Sequence, residues 1–235
     1  MSNSNQQKIY QHSGWLIPLA FGSAIVLLSG LFLGWYLRPG PQTPATPTGQ
    51  SNIVELTVRG AAFSIPANYI QSPAARAGGD QESLALAALF PSLQGYSESD
   101  AKLFQGNAPD SPVIHINLRA DGGSLDAKAR LERVYKPYLT NPDGAAGPFG
   151  LTQYAFGAHS GYERNDLFAG QGAAGLVLLL CERAAGDLSS PNCLAIDRSL
   201  ERNLNFSYRF KRAYLARWRE IDSGVSGLVR KFERR

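Results

Sequence analysis

The chain has 235 residues, of which 44% are hydrophobic and 18% are charged, a composition typical of a globular protein and not of a disordered one. Its net charge of +4 is unevenly spread, because residues 51–197 contain 10 Lys and Arg against 15 Asp and Glu, whereas residues 198–235 contain 11 against 4. The region from residue 51 onward therefore has little net positive charge, which argues against a nucleic-acid partner.

The first predicted element is a membrane-spanning helix at residues 14–37, GWLIPLAFGSAIVLLSGLFLGWYL, which contains no charged residue. From Trp15 to Leu37 the helix would be roughly 34 Å long, enough to cross about 30 Å of hydrocarbon. Trp15 lies at one end and Trp35 with Tyr36 at the other, where aromatic rings favour the lipid headgroups. The apolar run exceeds the core of a cleaved signal peptide and no cleavage motif follows it directly, so we predict an uncleaved signal anchor.

Three glycines of this helix, Gly22, Gly30 and Gly34, are spaced by multiples of four residues and therefore share one stripe. Gly30 and Gly34 form a GxxxG motif, which lets two helices approach closely in lipid. The motif predicts a homodimer or contact with a partner helix. Glycine is also common in membrane helices in general, and that alternative stays open.

The two cysteines indicate on which side of the membrane the rest of the chain lies. Lys8 and Arg38 flank the helix on opposite sides, so positive charge alone does not decide the orientation. Cys181 and Cys193 lie twelve residues apart across the turn-rich GDLSSPN, a spacing that suits a local disulfide. Disulfides persist in oxidising compartments, so we predict that residues 1–13 are cytoplasmic and the domain is exported. The alternative is two unrelated buried thiols.

Arg greatly exceeds Lys, and Ala and Gly are abundant, a composition that indicates a bacterial gene of high GC content. Together with the predicted anchor, this predicts a single-pass protein of the bacterial inner membrane with a periplasmic domain.

A Pro- and Thr-rich linker at residues 38–52 leads into an α+β domain at residues 53–235. Alternation of apolar and polar residues predicts most of its strands, and the run LVLLLC predicts a central strand. The predicted strands and extended segments are 53–58, 63–66, 113–118, 151–156, 162–168, 176–181 and 204–210. Residues 83–90 fit either a strand or a helical turn, and residues 126–139 are a helix candidate.

The last predicted element is a long amphipathic helix with Trp218 as its anchor. Apolar residues recur at three- and four-residue intervals, as in a helix that packs on a sheet. They are Leu215, Trp218, Ile221, Val225, Leu228 and Phe232. The predicted fold is therefore one transmembrane helix plus an α+β domain, whose mainly antiparallel sheet is packed by this C-terminal helix.

Two motifs resemble enzyme signatures but lack their usual context. GQGAAG at residues 170–175 matches the dinucleotide-binding pattern, yet it follows polar residues and precedes a strand-like run, so we predict a hairpin turn and no cofactor. GAHSG at residues 157–161 has His159 where a nucleophile elbow has serine. A triad of Ser160, His115 and an aspartate is the alternative enzymatic hypothesis, that of a periplasmic hydrolase. Neither His115 nor His159 has a carboxylate or thiolate at ligand spacing, so no metal site is predicted.

The two ends of the domain resemble the PsbP-like and DcrB-like superfamily. The segment FSIPANY at residues 63–69 is similar to the opening of that group, and residues 215–232 are similar to its closing amphipathic helix. The resemblance implies an α/β/α sandwich that is often exported and acts in assembly or binding more than in catalysis. It leaves Cys181 and Cys193 unexplained and carries no functional residue over.

The leading hypothesis is a membrane-anchored extracytoplasmic interaction or assembly module with a protein partner in the cell envelope, and without catalytic residues. The basic end of the chain supplies a candidate partner surface, Lys211, Arg212, Arg217 and Arg219, suited to an acidic protein or anionic lipid headgroups. The plain alternative for these charges is the solvated face of a helix. A ligand-sensing domain is a further alternative, in which any signal would need a partner.

Overall fold

The computed structural model describes residues 16–37, 46–120, 125–184, 189–200 and 204–234. Contacts divide the chain into two units, Met1–Gln42 and Thr43–Arg235. The described part of the first unit is helix α1 (Leu16–Tyr36). Its stretch Ile17–Tyr36 has a mean hydropathy of 2.1, is unburied, and is long and apolar enough to cross a membrane. A signal sequence meets the same criteria, so the apolar helix is confirmed while its role as an anchor stays a prediction.

The second unit consists mainly of β-strands. In chain order they are β1 (Ile53–Val58), β2 (Ala61–Pro66), β3 (Gly79–Gln81), β4 (Ser83–Leu89), β5 (Val113–Ala120), β6 (Ala145–Ala146), β7 (Thr152–Ala155), β8 (Asn165–Gly172), β9 (Gly175–Glu182), β10 (Asn192–Leu200) and β11 (Leu204–Lys211). The helices are α2 (Ala101–Gln105), α3 (Ala127–Arg130) and α4 (Trp218–Phe232). Helix α3 continues through a π-turn and a 3-10 turn to Tyr138, and a 3-10 turn at Arg212–Arg217 precedes α4.

The strands form two sheets within the described residues. The smaller sheet has the order β2-β1-β3, and the larger has the order β4-β5-β11-β10-β9-β8-β7-β6. Every pairing in the larger sheet is antiparallel, whereas β3 runs parallel to β1. The α+β class with a mainly antiparallel sheet is therefore confirmed. The ambiguous segment at residues 83–90 is the strand β4.

One face of the eight-stranded sheet is covered by α4 and the three-stranded sheet, and together they enclose the main core. Its largest fully buried side chains include Phe63, Ile65, Leu86, Ile116, Tyr208, Phe210 and Trp218. The indole of Trp218 is 1% exposed, and its Nε1 donates a hydrogen bond to the Phe149 carbonyl at 3.2 Å. Gly170 leaves room for this ring, since a Cβ there would lie 2.7 Å from it.

The opposite face of the large sheet is covered in two places. Over β7 to β10, the segment that starts with α3 packs Leu131 and Tyr135 on a second cluster that includes Phe156, Leu167 and Leu178. At the other edge of the sheet, Phe104 of α2 packs on a small cluster of β4 and β5, formed by Ala87, Leu89 and Val113. Among the residues that the structure describes, neither cover reaches the strands between them.

Candidate functional site

The uncovered strip is the part of the large sheet that lies between these two covers. It is formed by His115 and Asn117 of β5, Ser207 and Arg209 of β11, and Leu194 of β10. Successive residues of a strand point to opposite faces, so the intervening residues, such as Ile116 and Tyr208, lie in the core. The sequence alternation that predicts these strands thus also places polar side chains on one exposed face.

Strand register places the side chains of the strip in rows. His115 is paired with Arg209, and Arg209 is paired with Leu194, so these three residues lie side by side across three strands. Asn117 is paired with Ser207 in the next row. Paired side chains of antiparallel strands have Cβ atoms about 4.5–5.5 Å apart, so one partner side chain could contact two members of a row.

His115 joins the strip to a small cavity of about 180 Å³ that is lined by Tyr69, Tyr96 and Phe104, among others. Its Nδ1 lies 2.7 Å from Nε2 of Gln71. Partial burial lowers the pKa of His115, and the positive charges of Arg209 and Lys211 lower it further. The imidazole is therefore neutral near pH 7, which leaves Arg209 as the charged member of the strip.

The structure corrects the predicted partner surface at Lys211. This residue ends β11 and is only 5% exposed, so it cannot form part of an exposed surface. Its ammonium group donates hydrogen bonds to Oδ1 of Asn107 at 2.5 Å and to Oγ of Ser190 at 2.7 Å. Burial lowers the pKa of Lys211, and the nearby charge of Arg209 adds to that effect. The side chain ties two loops to the end of the sheet.

Arg212 is likewise engaged within the domain. Its guanidinium contacts Oδ2 of Asp166 at 2.6 Å and the carbonyl of Glu182 at 2.7 Å. Arg183 binds the other oxygen of Asp166 at 2.8 Å. Asp166 is buried, and its ion pairs with Arg183 and Arg212 link β8 to the segment that follows β11.

Arg217 and Arg219 are exposed but do not point the same way. Arg217 pairs with Glu220 at 2.7 Å and lies over the ring of Phe90, which follows β4 at one edge of the sheet. Arg219 donates to the Phe149 carbonyl at 3.1 Å, close to β7 near the opposite edge. The four predicted basic residues therefore do not form one continuous surface, because the strand and the helix that carry them direct them to different places.

A buried ionic network was missed by sequence reasoning. Arg198 is 6% exposed and contacts both carboxylate oxygens of Asp222, at 3.1 and 3.2 Å. Tyr208 donates its hydroxyl to the same carboxylate at 2.9 Å, and Arg198 also donates to the Leu176 carbonyl at 2.8 Å. Burial, followed by the charge of Asp222, raises the pKa of Tyr208 well above its ordinary value. Arg198 and Asp222 belong to a basic region, so nothing in the sequence distinguished them from surface charges.

Cys181 and Cys193 form a disulfide, and both residues are fully buried. They are directly paired on the neighbouring strands β9 and β10, with 4.0 Å between their Cα atoms. The bridge therefore joins two strands across their ladder, in addition to closing the connection between them.

The residues of the hydrolase alternative are not brought together. His115 lies on the second strand of the large sheet, and Ser160 lies in the loop after the seventh. These two strands are roughly 24 Å apart at about 4.8 Å per strand. Oγ of Ser160 accepts a hydrogen bond from the Tyr162 amide in a local turn. The GQGAAG motif is the hairpin between β8 and β9, as predicted. Within the described ranges, no group of three or more His, Cys, Asp or Glu side chains could hold a metal ion.

The glycine stripe of α1 remains open. A Cβ at Gly22, Gly30 or Gly34 would meet no atom within 4 Å. The stripe therefore leaves room for a second helix, and its packing role stays a prediction.

Comparison with known proteins gives a likeness in fold but no family. No family model matches the chain, and neither does any curated protein. The chain is similar to the solved structure of Smlt3025, an immunity protein of the Stenotrophomonas maltophilia type IV secretion system. The identity is 14%, the TM-score is 0.53, and the match covers 83% of this chain and 100% of that one.

A second solved structure is that of FrpD, an iron-regulated outer membrane lipoprotein of Neisseria meningitidis. It is 13% identical, with a TM-score of 0.32 over 72% of this chain and 84% of that chain, too low to support an argument. At its level of identity, the likeness to Smlt3025 shows the fold alone. Neither match names the PsbP-like and DcrB-like superfamily, so that resemblance stays a prediction.

Proposed function

We propose that the chain is a single-pass protein of a bacterial inner membrane whose periplasmic domain binds a protein partner and catalyses no reaction. Residues 14–37 would be the anchor and residues 1–13 the cytoplasmic tail. The main support for the binding role is the uncovered strip. It presents exposed polar and apolar side chains on a sheet whose neighbouring surfaces are covered. The disulfide between Cys181 and Cys193 supports the periplasmic side.

The binding role is tested by crosslinking in intact cells, purification through a C-terminal tag, and mass spectrometry. We expect one protein to be recovered in amounts comparable to those of the tagged chain. The matched control is a tagged chain of residues 1–45, which keeps the apolar helix and lacks the domain, and should not recover that protein. Recovery of the full chain alone, at every crosslinker length, would contradict a protein-binding role and favour a ligand-binding domain.

A second candidate function is protection of the cell from a toxin, which would then be the protein partner. It is favoured by the fold of Smlt3025, an immunity protein whose whole length is matched by this chain. The test is a mixed culture of a deletion strain with its parent. The deletion strain should lose viability on contact, and the full chain supplied in trans should restore it. Equal survival would exclude this role while leaving the wider proposal intact.

In the membrane, the stripe of Gly22, Gly30 and Gly34 would allow a homodimer. Replacing Gly30 and Gly34 with leucine would fill the close-approach surface. We expect a lower yield of crosslinked dimer in native membranes. An unchanged yield would show that these glycines do not mediate association.

A further inference from the structure

We infer that the uncovered strip docks an acidic segment of the partner protein, with a carboxylate at Arg209 and an apolar side chain on Leu194. This inference deepens the proposed function and rests on it. It concerns the place and the chemistry of binding, which the proposed function leaves open.

The charge of Arg209 is the first reason. Several other arginines of the domain have a carboxylate partner, as in the pairs of Arg183 and Arg212 with Asp166 and of Arg234 with Glu55. Among the described residues, the guanidinium of Arg209 has no side-chain hydrogen bond or ion pair. An exposed guanidinium on a central strand can bind a carboxylate through two parallel hydrogen bonds.

The surroundings of Arg209 add to its preference for an anionic partner. Its charge lowers the pKa of both His115 and Lys211, after the larger effect of their burial. Lys211 is therefore a second positive charge close to Arg209, partly offset by Glu182, and the two cations give a positive potential at the end of β11. A carboxylate that docks beside Arg209 would be stabilised by that potential.

The apolar half of the strip is the second reason. Leu194 is 37% exposed and lies directly beside Arg209 in the strand register. Its other neighbour is the half-buried Leu180, which packs against the cluster under the α3 segment. A lipid headgroup or a nucleic acid backbone would satisfy Arg209 but gain nothing from an exposed leucine. A protein segment with adjacent acidic and apolar side chains satisfies both.

The inference is tested with a photocrosslinking amino acid at Leu194 in the full chain, expressed in intact cells. Mass spectrometry identifies the crosslinked peptide. The same crosslinker at Tyr138, which ends the α3 segment and is 49% exposed, serves as the positional control. We expect the Leu194 position to capture one protein at a peptide with Asp or Glu next to an apolar residue.

Charge reversal then tests the role of Arg209. We expect Arg209→Glu to lower the crosslink yield from Leu194 by roughly tenfold or more, as loss of a charge pair at an interface does. Arg164→Glu makes the same charge change at an exposed loop residue and should leave the yield unchanged. Exchange of the captured carboxylate for lysine in the partner should restore binding to the Arg209→Glu chain.

The outcomes separate this inference from the proposed function. A partner captured from Tyr138 and not from Leu194, or a yield from Leu194 that is unaffected by Arg209→Glu, overturns the docking site and leaves a protein-binding domain. Crosslinks from Leu194 to lipid alone also overturn it. The absence of protein crosslinks from both positions and from the cell-wide crosslinking experiment overturns the proposed function itself.

Discussion

At the scale of single residues, a buried ionic network links helix α4 to the large sheet. Asp222 of α4 binds Arg198 of β10 and Tyr208 of β11, so one carboxylate joins the helix to two strands of the sheet. Buried charges are stable only when they are paired and hydrogen bonded. These residues therefore fix where α4 sits on the sheet.

Replacing Asp222 with alanine should lower the free energy of unfolding by about 3–5 kcal/mol, because Arg198 would remain buried without its counter-charge. Denaturant unfolding of the detergent-purified chain measures the change. The matched control is Glu220→Ala, which removes an exposed carboxylate of the same helix that also pairs with an arginine, and should cost less than about 1 kcal/mol. Equal costs for the two variants would show that the buried network does not hold the helix.

The pH dependence of stability is predicted at Asp166. Burial raises the pKa of this carboxyl, but hydrogen bonds from Arg212 and Arg183 outweigh that effect and leave the pKa below its ordinary value. The folded state therefore binds the proton less readily than the unfolded state, whose pKa is about 3.9. The stability that Asp166 contributes is present above about pH 4 and is lost as the pH falls through the lower folded-state pKa.

Asp166→Asn should remove this contribution. The difference in unfolding free energy between the natural chain and the variant should be largest near neutral pH and shrink as the pH falls below about 4. Denaturant titrations at several pH values measure it. A difference that stays constant down to strongly acidic pH would show that the two arginines do not stabilise the ionised carboxylate.

At the scale of elements, the amphipathic helix α4 and the strand pair β9 and β10 hold the domain together. The apolar stripe of α4 was predicted from the sequence, and the structure buries it with one difference. Val229, not Leu228, is fully buried near its end, while Leu228 is half-buried. Trp218 is the anchor that the spacing predicts.

Trp218→Ala should lower the free energy of unfolding by about 3–5 kcal/mol, because it leaves a cavity between Gly170 and the core. Leu228→Ala on the same helix is the control and should cost clearly less, since its side chain is only partly buried. Thermal and denaturant unfolding compare the two. A loss below about 1 kcal/mol for Trp218→Ala would show that this face of the helix is not packed.

Removing the disulfide by Cys181→Ala with Cys193→Ala should cost about 2–3 kcal/mol, because the unfolded chain regains the entropy of a short loop. A reducing agent should lower the stability of the natural chain to a similar extent and leave the double variant unchanged. The two unfolding curves, each with and without reductant, provide the measurement. An equal effect of reductant on both proteins would show that the loss of stability does not come from reduction of this disulfide.

The sequence predicted elements whose alternation is regular and missed those where it is broken. Strand β10 contains a bulge between Ala195 and Arg198, which shifts the alternation and turns Arg198 toward the core. The burial of Lys211 could not be predicted from the basic run around it, because it depends on Asn107 and Ser190, which are distant in sequence. The uncovered strip could not be predicted for the same reason. Its exposure depends on where α2 and α3 pack on the sheet, and not on the sequence of its own strands.

At the scale of the whole molecule, two independent features support the proposed place in the cell envelope. The first unit contains an apolar helix long enough to cross a membrane, and the second unit contains a disulfide between buried strands. The proposed anchor would hold the domain at the bilayer, and a stable disulfide favours an oxidising compartment. The proposed protein partner would then be met in the periplasm.

The most direct test of this arrangement is protease treatment of spheroplasts that express the chain with a tag before Met1. External protease should remove the domain and leave a small tagged fragment in the membrane that ends just after residue 37. Full protection of the chain until the membrane is dissolved would place the domain in the cytoplasm. Loss of the tagged N-terminus without protease would show that residues 14–37 are a cleaved signal sequence, and either result would contradict the anchor.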